Sequence, residues 1–302
     1  VKTSKVMNEL AVIGHIAIDR VITVTGSRTQ LGGPPTYVSL VTQRLGTPVR
    51  AVTKVGGDMP RGFLDQLRER GIDLRGQIAA GAATTRFILD YRGAERRLSV
   101  ASVCEEIEPE DVGEPPEAVL ITPIVGEVPP ETASALTGSR LIALDPQGFV
   151  RDVSRDGSVR QKRWFNEGLL RRITVYKSSE RELALIARDA DPWRGLRRIR
   201  ELGAEVAIAT RGGEGALLLT RRGRYRIPAY EVAEVVDPTG AGDAFIGAFL
   251  SEYLRGEDAA WCAAVGASAA SCVVETAGAS IGVSMRQMMG RAEEIHDAVV
   301  EL

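Results

Sequence analysis

Short, largely apolar runs recur along the chain at 10–14, 49–55, 118–121, 141–144, 173–176 and 206–209. A strand covered on both faces carries apolar side chains at every position, so each run predicts a buried strand. Amphipathic helical patterns fill the intervals at 35–45, 61–70, 131–136, 194–202, 244–254 and 259–274. Gly46 and Gly71 close two of them, and Pro60 and Pro130 stand where a first helical turn tolerates proline. This alternation predicts an α/β fold with a mostly parallel central sheet between helices. Two stretches, 21–30 and 84–100, depart from the rhythm and alternate polar with apolar residues. The second reads Arg86-Phe87-Ile88-Leu89-Asp90-Tyr91, a turn at Arg92-Gly93, then Arg96-Arg97-Leu98-Ser99-Val100. Half-buried antiparallel strands have this period. Two insertions, about 20–34 and 84–102, would form a small β lid over one edge of the main sheet, within a single domain spanning 1–302.

Composition adds mainly exclusions. With 38 basic and 40 acidic residues the net charge is -2, which gives no long-range attraction to nucleic acid or an anionic membrane, so small-molecule partners are expected. Cys104, Cys262 and Cys272 are odd in number and have no C-x-x-C spacing, which predicts buried reduced thiols and a cytoplasmic setting. His15 and His296 are too few and too distant for a His-based metal cage. The first ten residues lack a signal-peptide pattern, and no uncharged apolar run reaches the roughly 18 residues a membrane span needs.

The chemistry concentrates in Val235-Val236-Asp237-Pro238-Thr239-Gly240-Ala241-Gly242-Asp243-Ala244-Phe245, followed by an amphipathic helix. Gly240 and Gly242 let successive N–H groups converge at the positive end of that helix, a site for a phosphate or a developing negative charge. Asp243 at the same helix start would oppose a bound anion unless a substrate hydroxyl lay between them, giving its proton to Asp243 while its oxygen attacks phosphorus. Taken alone, Asp243 is equally a helix N-terminal acid. The glycines fit neither a standard P-loop, since no G-x-x-x-x-G-K run occurs, nor G-x-G-x-x-G, whose third glycine is replaced by Phe245.

The run 237–245 resembles the D-x-T-G-A-G-D-x-F signature of PfkB-family (ribokinase-like) carbohydrate kinases. Further matches follow in the family's order: Gly14-His15-Ile16-Ala17-Ile18-Asp19, Gly32-Gly33, Val55-Gly56-Gly57-Asp58, Thr210-Arg211-Gly212-Gly213-Glu214-Gly215 and Gly278-Ala279. The resemblance implies a ribokinase-like three-layer fold and an ATP-dependent phosphotransferase with an alcohol acceptor. It implies Asp243 as catalytic base, with an anion hole from the amides of Gly240, Ala241, Gly242 and Asp243. Asp19, Gly32 and Gly33 would hold substrate hydroxyls at the lid hinge, with Asp237 nearby. The nucleotide would lie across Thr210, Gly212, Gly213 and Gly215 and against Gly278, with Lys177 and Ser179 beside it. The family's Asn-x-x-Glu motif, which helps organise Mg²⁺, aligns with Ser179 to Glu182, so Ser179 replaces the Asn and only Glu182 is retained as the metal-side acid. The family also admits a monovalent cation and a homodimer through the lid.

The segment Asp145-Pro146-Gln147-Gly148-Phe149-Val150-Arg151, with Thr122-Pro123-Ile124-Val125-Gly126-Glu127-Val128-Pro129-Pro130 upstream, is similar to archaeal myo-inositol kinases of that family. It implies a sugar or cyclic polyol acceptor, myo-inositol first, read by Asp145, Gln147 and Arg151. A ribose or nucleoside kinase is the alternative and would call for an aromatic wall, for which Tyr37, Phe87 and Tyr91 are candidates. A catalytically silent ligand-binding homologue is a further alternative: the altered Asn-x-x-Glu favours it and the intact Asp243 opposes it. The charged residues Arg86, Asp90, Arg92, Arg96 and Arg97 are read as a solvated hairpin face. ATP and ADP are both open as donor.

Overall fold

The computed structural model describes residues 9–69, 71–74, 77–93 and 97–302. Arg96 and the end of the helix expected over 61–70 lie outside the described residues, as does most of the N-terminal decade.

A ten-stranded sheet forms the middle layer. Its order is Val300–Glu301, Arg224–Ile227, Ala216–Thr220, Val206–Thr210, Val175–Ser179, Leu141–Leu144, Ala118–Ile121, Leu10–Ile13, Val49–Val52 and Asp73–Leu74. From Val206–Thr210 to Asp73–Leu74 every pairing is parallel, and the other three strands add antiparallel. Successive side chains point to opposite faces, so the apolar runs divide between two cores. Ala11, Ile13, Val119 and Ile121 pack with the helices Glu180–Ala187 and Pro192–Leu202. Leu10, Val12, Ala118 and Leu120 pack with Ala241–Arg255 and Ala259–Val274. This is the three-layer ribokinase-like arrangement.

The lid is a four-stranded sheet in the order Gly26–Gly32, Ala17–Thr23, Arg86–Asp90, Arg97–Ser102. Each insertion folds as an antiparallel hairpin, but the two hairpins join through a parallel pair, Ala17–Thr23 with Arg86–Asp90. Period-two alternation places Phe87 and Leu89 on one face with Ala17, Val21 and Val100, and that face is buried. The first lid strand starts three residues before the expected edge of the insertion because it continues almost directly from Leu10–Ile13.

Several elements differ from their expected bounds. The run 49–55 divides: Val49–Val52 stays in the main sheet while Lys54–Gly56 leaves to pair with Gln77–Ala79. The strand expected at 173–176 is Val175–Ser179, which carries polar Lys177, Ser178 and Ser179 to the sheet's end. The helix expected at 194–202 begins at Pro192, where the Asp191 carboxylate accepts from Trp193 and Arg194 N–H groups. Among the described residues no helix is long and apolar enough to cross a membrane. All three cysteines are free and buried.

Candidate active site

The C-terminal ends of the parallel strands and the lid enclose a cavity of about 270 Å³. Phe87, Leu89 and Leu98 face it from the lid, and Asp19 stands at the hinge. Asp145, Lys177 and Thr210 reach it from successive strand ends, and Thr239, Gly240, Gly242 and Asp243 add the glycine turn to the wall, whereas Ala241 is absent from the lining. Crevices at strand C-termini are where open α/β sheets bind ligands.

The glycine turn is held by contacts as well as by backbone freedom. Gly240 has φ +80° and precedes the helix Ala241–Arg255; a Cβ there would stand 2.2 Å from the ring of Tyr37, which is fully buried. Ala244 N–H donates to Gly240 O at 2.8 Å, closing the first helical turn. Ala241 N–H donates to Pro238 O at 3.4 Å, so of the expected anion hole Gly240, Gly242 and Asp243 are the residues that line the cavity, at a helix end of the kind that receives anions.

Asp243 is fixed from the neighbouring strand end. Gln147 Nε2 donates to Asp243 Oδ1 at 3.1 Å, and Gln147 Oε1 accepts from Arg151 Nη2 at 2.8 Å. Arg151 Nη1 donates to Ile124 O at 2.8 Å, and its guanidinium lies over the Phe87 ring, 5.9 Å from the centroid. Beneath them Lys177 Nζ donates to Asp145 Oδ2 at 2.6 Å, both side chains being buried. The second oxygen of Asp145 has no hydrogen-bond partner among the described residues. Burial, followed by the negative charge of Asp145, pushes the Asp243 carboxyl up to about 7, while Lys177, Arg151 and the Gln147 hydrogen bond pull the other way. Burial works against the charge on Lys177, but Asp145 and Asp243 outweigh it and raise its pKa. An acid poised near neutrality beside an anion site is suited to taking a proton and releasing it.

The predicted substrate residues separate into two groups. Asp19 and Gly33 line the cavity with Asp145, Gln147 and Arg151. Gly32 lies behind Asp19: a Cβ on Gly32 would stand 2.0 Å from the Asp19 carboxylate, so the glycine makes room for that acid. Gly33 has φ +84°, and its missing side chain would meet His15 O at 2.2 Å. Asp237 is absent from the lining and sits under the glycine turn. Its carboxylate accepts from Arg28 Nη2 at 2.7 Å, Gln30 Nε2 at 3.0 Å and Thr239 N–H at 3.0 Å, with Gly278 N–H at 3.4 Å. Burial alone would raise its pKa, but these hydrogen bonds prevail and hold it below the usual carboxylate range. Asp237 therefore joins the lid strand Gly26–Gly32 to the turn. Arg28→Met is expected to cost about 1–2 kcal/mol, since the guanidinium is partly solvated. A chemical-denaturation midpoint equal to wild type would contradict that linkage.

Of the residues expected at the donor or its metal, Thr210, Lys177, Ser179 and Glu182 line the cavity, whereas Gly212, Gly213, Gly215 and Gly278 do not. Gly215 has φ +85° and abuts Ile227 O, 2.0 Å from where its Cβ would be, so strand proximity requires it. Ser179 is the N-cap of Glu180–Ala187. Its Oγ accepts from Glu182 N–H at 3.3 Å, and Glu182 Oε2 accepts from Ser179 N–H at 2.8 Å, a reciprocal capping box. The serine that replaces the Asn thus has a local role. Among the described residues no three His, Cys, Asp or Glu side chains are grouped to hold a metal. Mg²⁺ usually takes only one or two carboxylates together with substrate phosphates, so Glu182 on the cavity wall fits that mode.

Sequence reasoning did not assign Leu89, Leu98 and Ile124 to the site, although the alternation at 86–90 signalled that Phe87 and Leu89 share a face. Of the aromatic candidates, Tyr37 and Phe87 line the cavity, while Tyr91 contacts Thr239 through its hydroxyl at 3.4 Å. Arg86 pairs with Asp58 and Arg92 with Asp90, both away from the cavity.

A family model described as pfkB family carbohydrate kinase matches residues 7–286. The chain belongs to the pfkB family. It is 30% identical over 270 residues to a cytidine kinase of Thermococcus kodakarensis, spanning 86% of this chain and 94% of that one. It is 26% identical over 303 residues to a nucleoside kinase of Methanothermobacter thermautotrophicus, spanning 91% and 92%. Among solved structures, a pyrophosphate-dependent kinase in the ribokinase family complexed with a pyrophosphate analog and myo-inositol superposes with a TM-score of 0.79 at 21% identity, covering 93% of this chain and 99% of that one. The Methanocaldococcus jannaschii nucleoside kinase gives 0.74 at 21% identity, covering 95% and 99%. As a pfkB-family kinase the chain is a phosphotransferase acting on an alcohol group of a sugar or nucleoside.

Proposed function

We propose that this kinase phosphorylates a ring-borne hydroxyl of a sugar or cyclic polyol, with Asp243 as general base and myo-inositol as the first acceptor to test. The supporting observation is the pairing of an acid poised near pH 7 with an open helix N-terminus on one cavity wall. The acceptor hydroxyl lies between them. Its proton passes to Asp243, its oxygen bonds to the terminal phosphorus of the donor, and the bond from phosphorus to the leaving phosphate oxygen breaks. N–H groups of Gly240, Gly242 and Asp243 and the Lys177 ammonium receive the charge that develops on the phosphoryl oxygens. Mg²⁺, held by donor phosphates with Glu182, would neutralise donor charge when bound.

The walls suit a ring with a polar rim and C–H faces. Asp19 can pair with hydroxyls at the rim, with Gln147 and Arg151 engaged in holding Asp243, while Phe87, Leu89 and Leu98 cover a face. The similarity to a cytidine kinase favours a second reading, in which that apolar wall holds a nucleobase and Asp19 the ribose diol.

ATP and pyrophosphate are both to be tried as donor. Phosphate-ester formation with each, against myo-inositol, cytidine and ribose, separates the readings. Turnover with myo-inositol at least tenfold above the others supports the cyclic-polyol reading, and preference for cytidine replaces it with the nucleoside reading. No ester with any acceptor contradicts both.

A further inference from the structure

The hairpin Arg151–Val153 with Val159–Gln161 has no counterpart among the expected elements, and it bridges the lid to the base. Its strands pair antiparallel with Arg151 opposite Gln161 and Val153 opposite Val159. At the tip, Gly157 O accepts from Val100 N–H at 2.8 Å, and Ser99 and Ser158 form an antiparallel bridge. The hairpin thus grips the edge of the lid strand Arg97–Ser102. Gly157 has φ +80°, and a Cβ there would stand 2.4 Å from Val100 O, so only glycine permits this approach. Asp156 stiffens the tip by accepting from Ser158 N–H at 3.0 Å and Ser158 Oγ at 2.7 Å.

The root is equally fixed. Lys162 N–H donates to Val150 O at 2.8 Å, and Phe149 stacks on Trp164 with centroids 4.6 Å apart. The first residue of the hairpin is Arg151, which touches the lid through Phe87 and holds Gln147, the side chain bonded to Asp243. Two lid contacts, at the tip and at Phe87, therefore converge on one arginine.

We propose that the 151–161 hairpin couples lid position to the catalytic base, with Arg151 and Gln147 as positioning residues that hold Asp243 in its working orientation only while the lid edge is docked. This rests on the reading of Asp243 as base. A displaced lid would draw Arg151 from Gln147 and free the carboxylate to turn. Asp243 would then keep Asp145, Lys177 and Tyr37 as its charged and titratable neighbours and lose the influence of Arg151.

The test uses Gly157→Val, remote from the cavity lining, and a chain in which 154–158 is replaced by a two-residue Asn-Gly turn that keeps the hairpin but cannot reach Val100. Each is expected to lower kcat about ten- to a hundredfold and to move the acid limb of kcat/KM to higher pH, and Arg151→Met should do the same because Arg151 lowers the Asp243 pKa. Gly157→Val combined with Arg151→Met should lose no more than Arg151→Met alone, because both break one linkage. Folded variants with wild-type kcat and acid limb, or losses that multiply, would overturn the coupling. If Gly157→Val fails to fold, the shortened hairpin alone decides by the same criteria. Asp243→Asn separates the two readings: its full activity would overturn the base, whereas an inactive Asp243→Asn beside unaffected hairpin variants would overturn the coupling alone.

Discussion

Asp243→Asn is expected to lower kcat by about 10²–10⁴-fold, the usual contribution of a positioned general base, with little change in KM for the acceptor. The amide keeps the shape of the carboxyl and an oxygen to accept from Gln147, but it cannot take a proton at neutral pH. The same substitution should stabilise the fold. The folded-state value of about 7 lies above the ordinary 3.8, so folding favours the protonated acid. That contribution is fully present below about pH 4 and is lost as pH rises through 7, leaving an ionised acid in an unfavourable site. Asn carries no such penalty. A gain of about 1–2 kcal/mol is expected at pH 8, reduced for the solvent that reaches the carboxylate, and it should disappear toward pH 4. Thermal unfolding of both proteins at the two pH values checks the sign; a destabilised Asn variant at pH 8 would mean that the carboxylate serves structure.

Gly240→Ala is the second large effect. Its φ of +80° costs a non-glycine residue about 1–3 kcal/mol, and the new Cβ would lie 2.2 Å from the Tyr37 ring. Tyr37, on the helix Pro34–Arg44, is fully buried in the cluster with Val41, Ala244 and Ala248 and cannot yield, so the turn must move and take the N-terminus of Ala241–Arg255 with it. A loss of about 10²–10³-fold in kcat follows if that displacement forfeits one anion-hole donor. At Gly242 the obstacle is the Lys177 ammonium, 2.8 Å from the Cβ position, the far end of a flexible side chain. Gly242→Ala should therefore lose less. Steady-state kinetics on the pair tests the order, and a more damaging Gly242→Ala would show that the lysine, rather than the turn, sets the geometry.

Much of this site was legible in the sequence because its principal parts are local. The Gly240–Gly242–Asp243 turn, the strand ends that carry Asp145 and Thr210, and the alternation that puts Phe87 and Leu89 on one lid face all follow from short-range patterns. The pairings that organise them are not local. Gln147 and Asp243 are 96 residues apart, and Arg28 and Asp237 are 209 apart. Nothing in spacing marks Asp237 as a tie beneath the turn instead of a cavity acid. The 151–161 hairpin was hidden for another reason: its strands are three residues each and mostly polar, with no apolar alternation to mark them. Its stability comes from the lid edge and from Phe149 on Trp164, contacts that no periodicity announces.

The most direct measurement for the role assigned to Asp243 is the pH dependence of kcat/KM for acceptor phosphorylation by the full chain. Activity requires the ionised carboxylate, so kcat/KM is expected to rise tenfold per pH unit on the acid side and level off through about pH 7. A profile that stays flat from pH 5 to 8, with phosphate-ester formation confirmed throughout, would contradict Asp243 as the base.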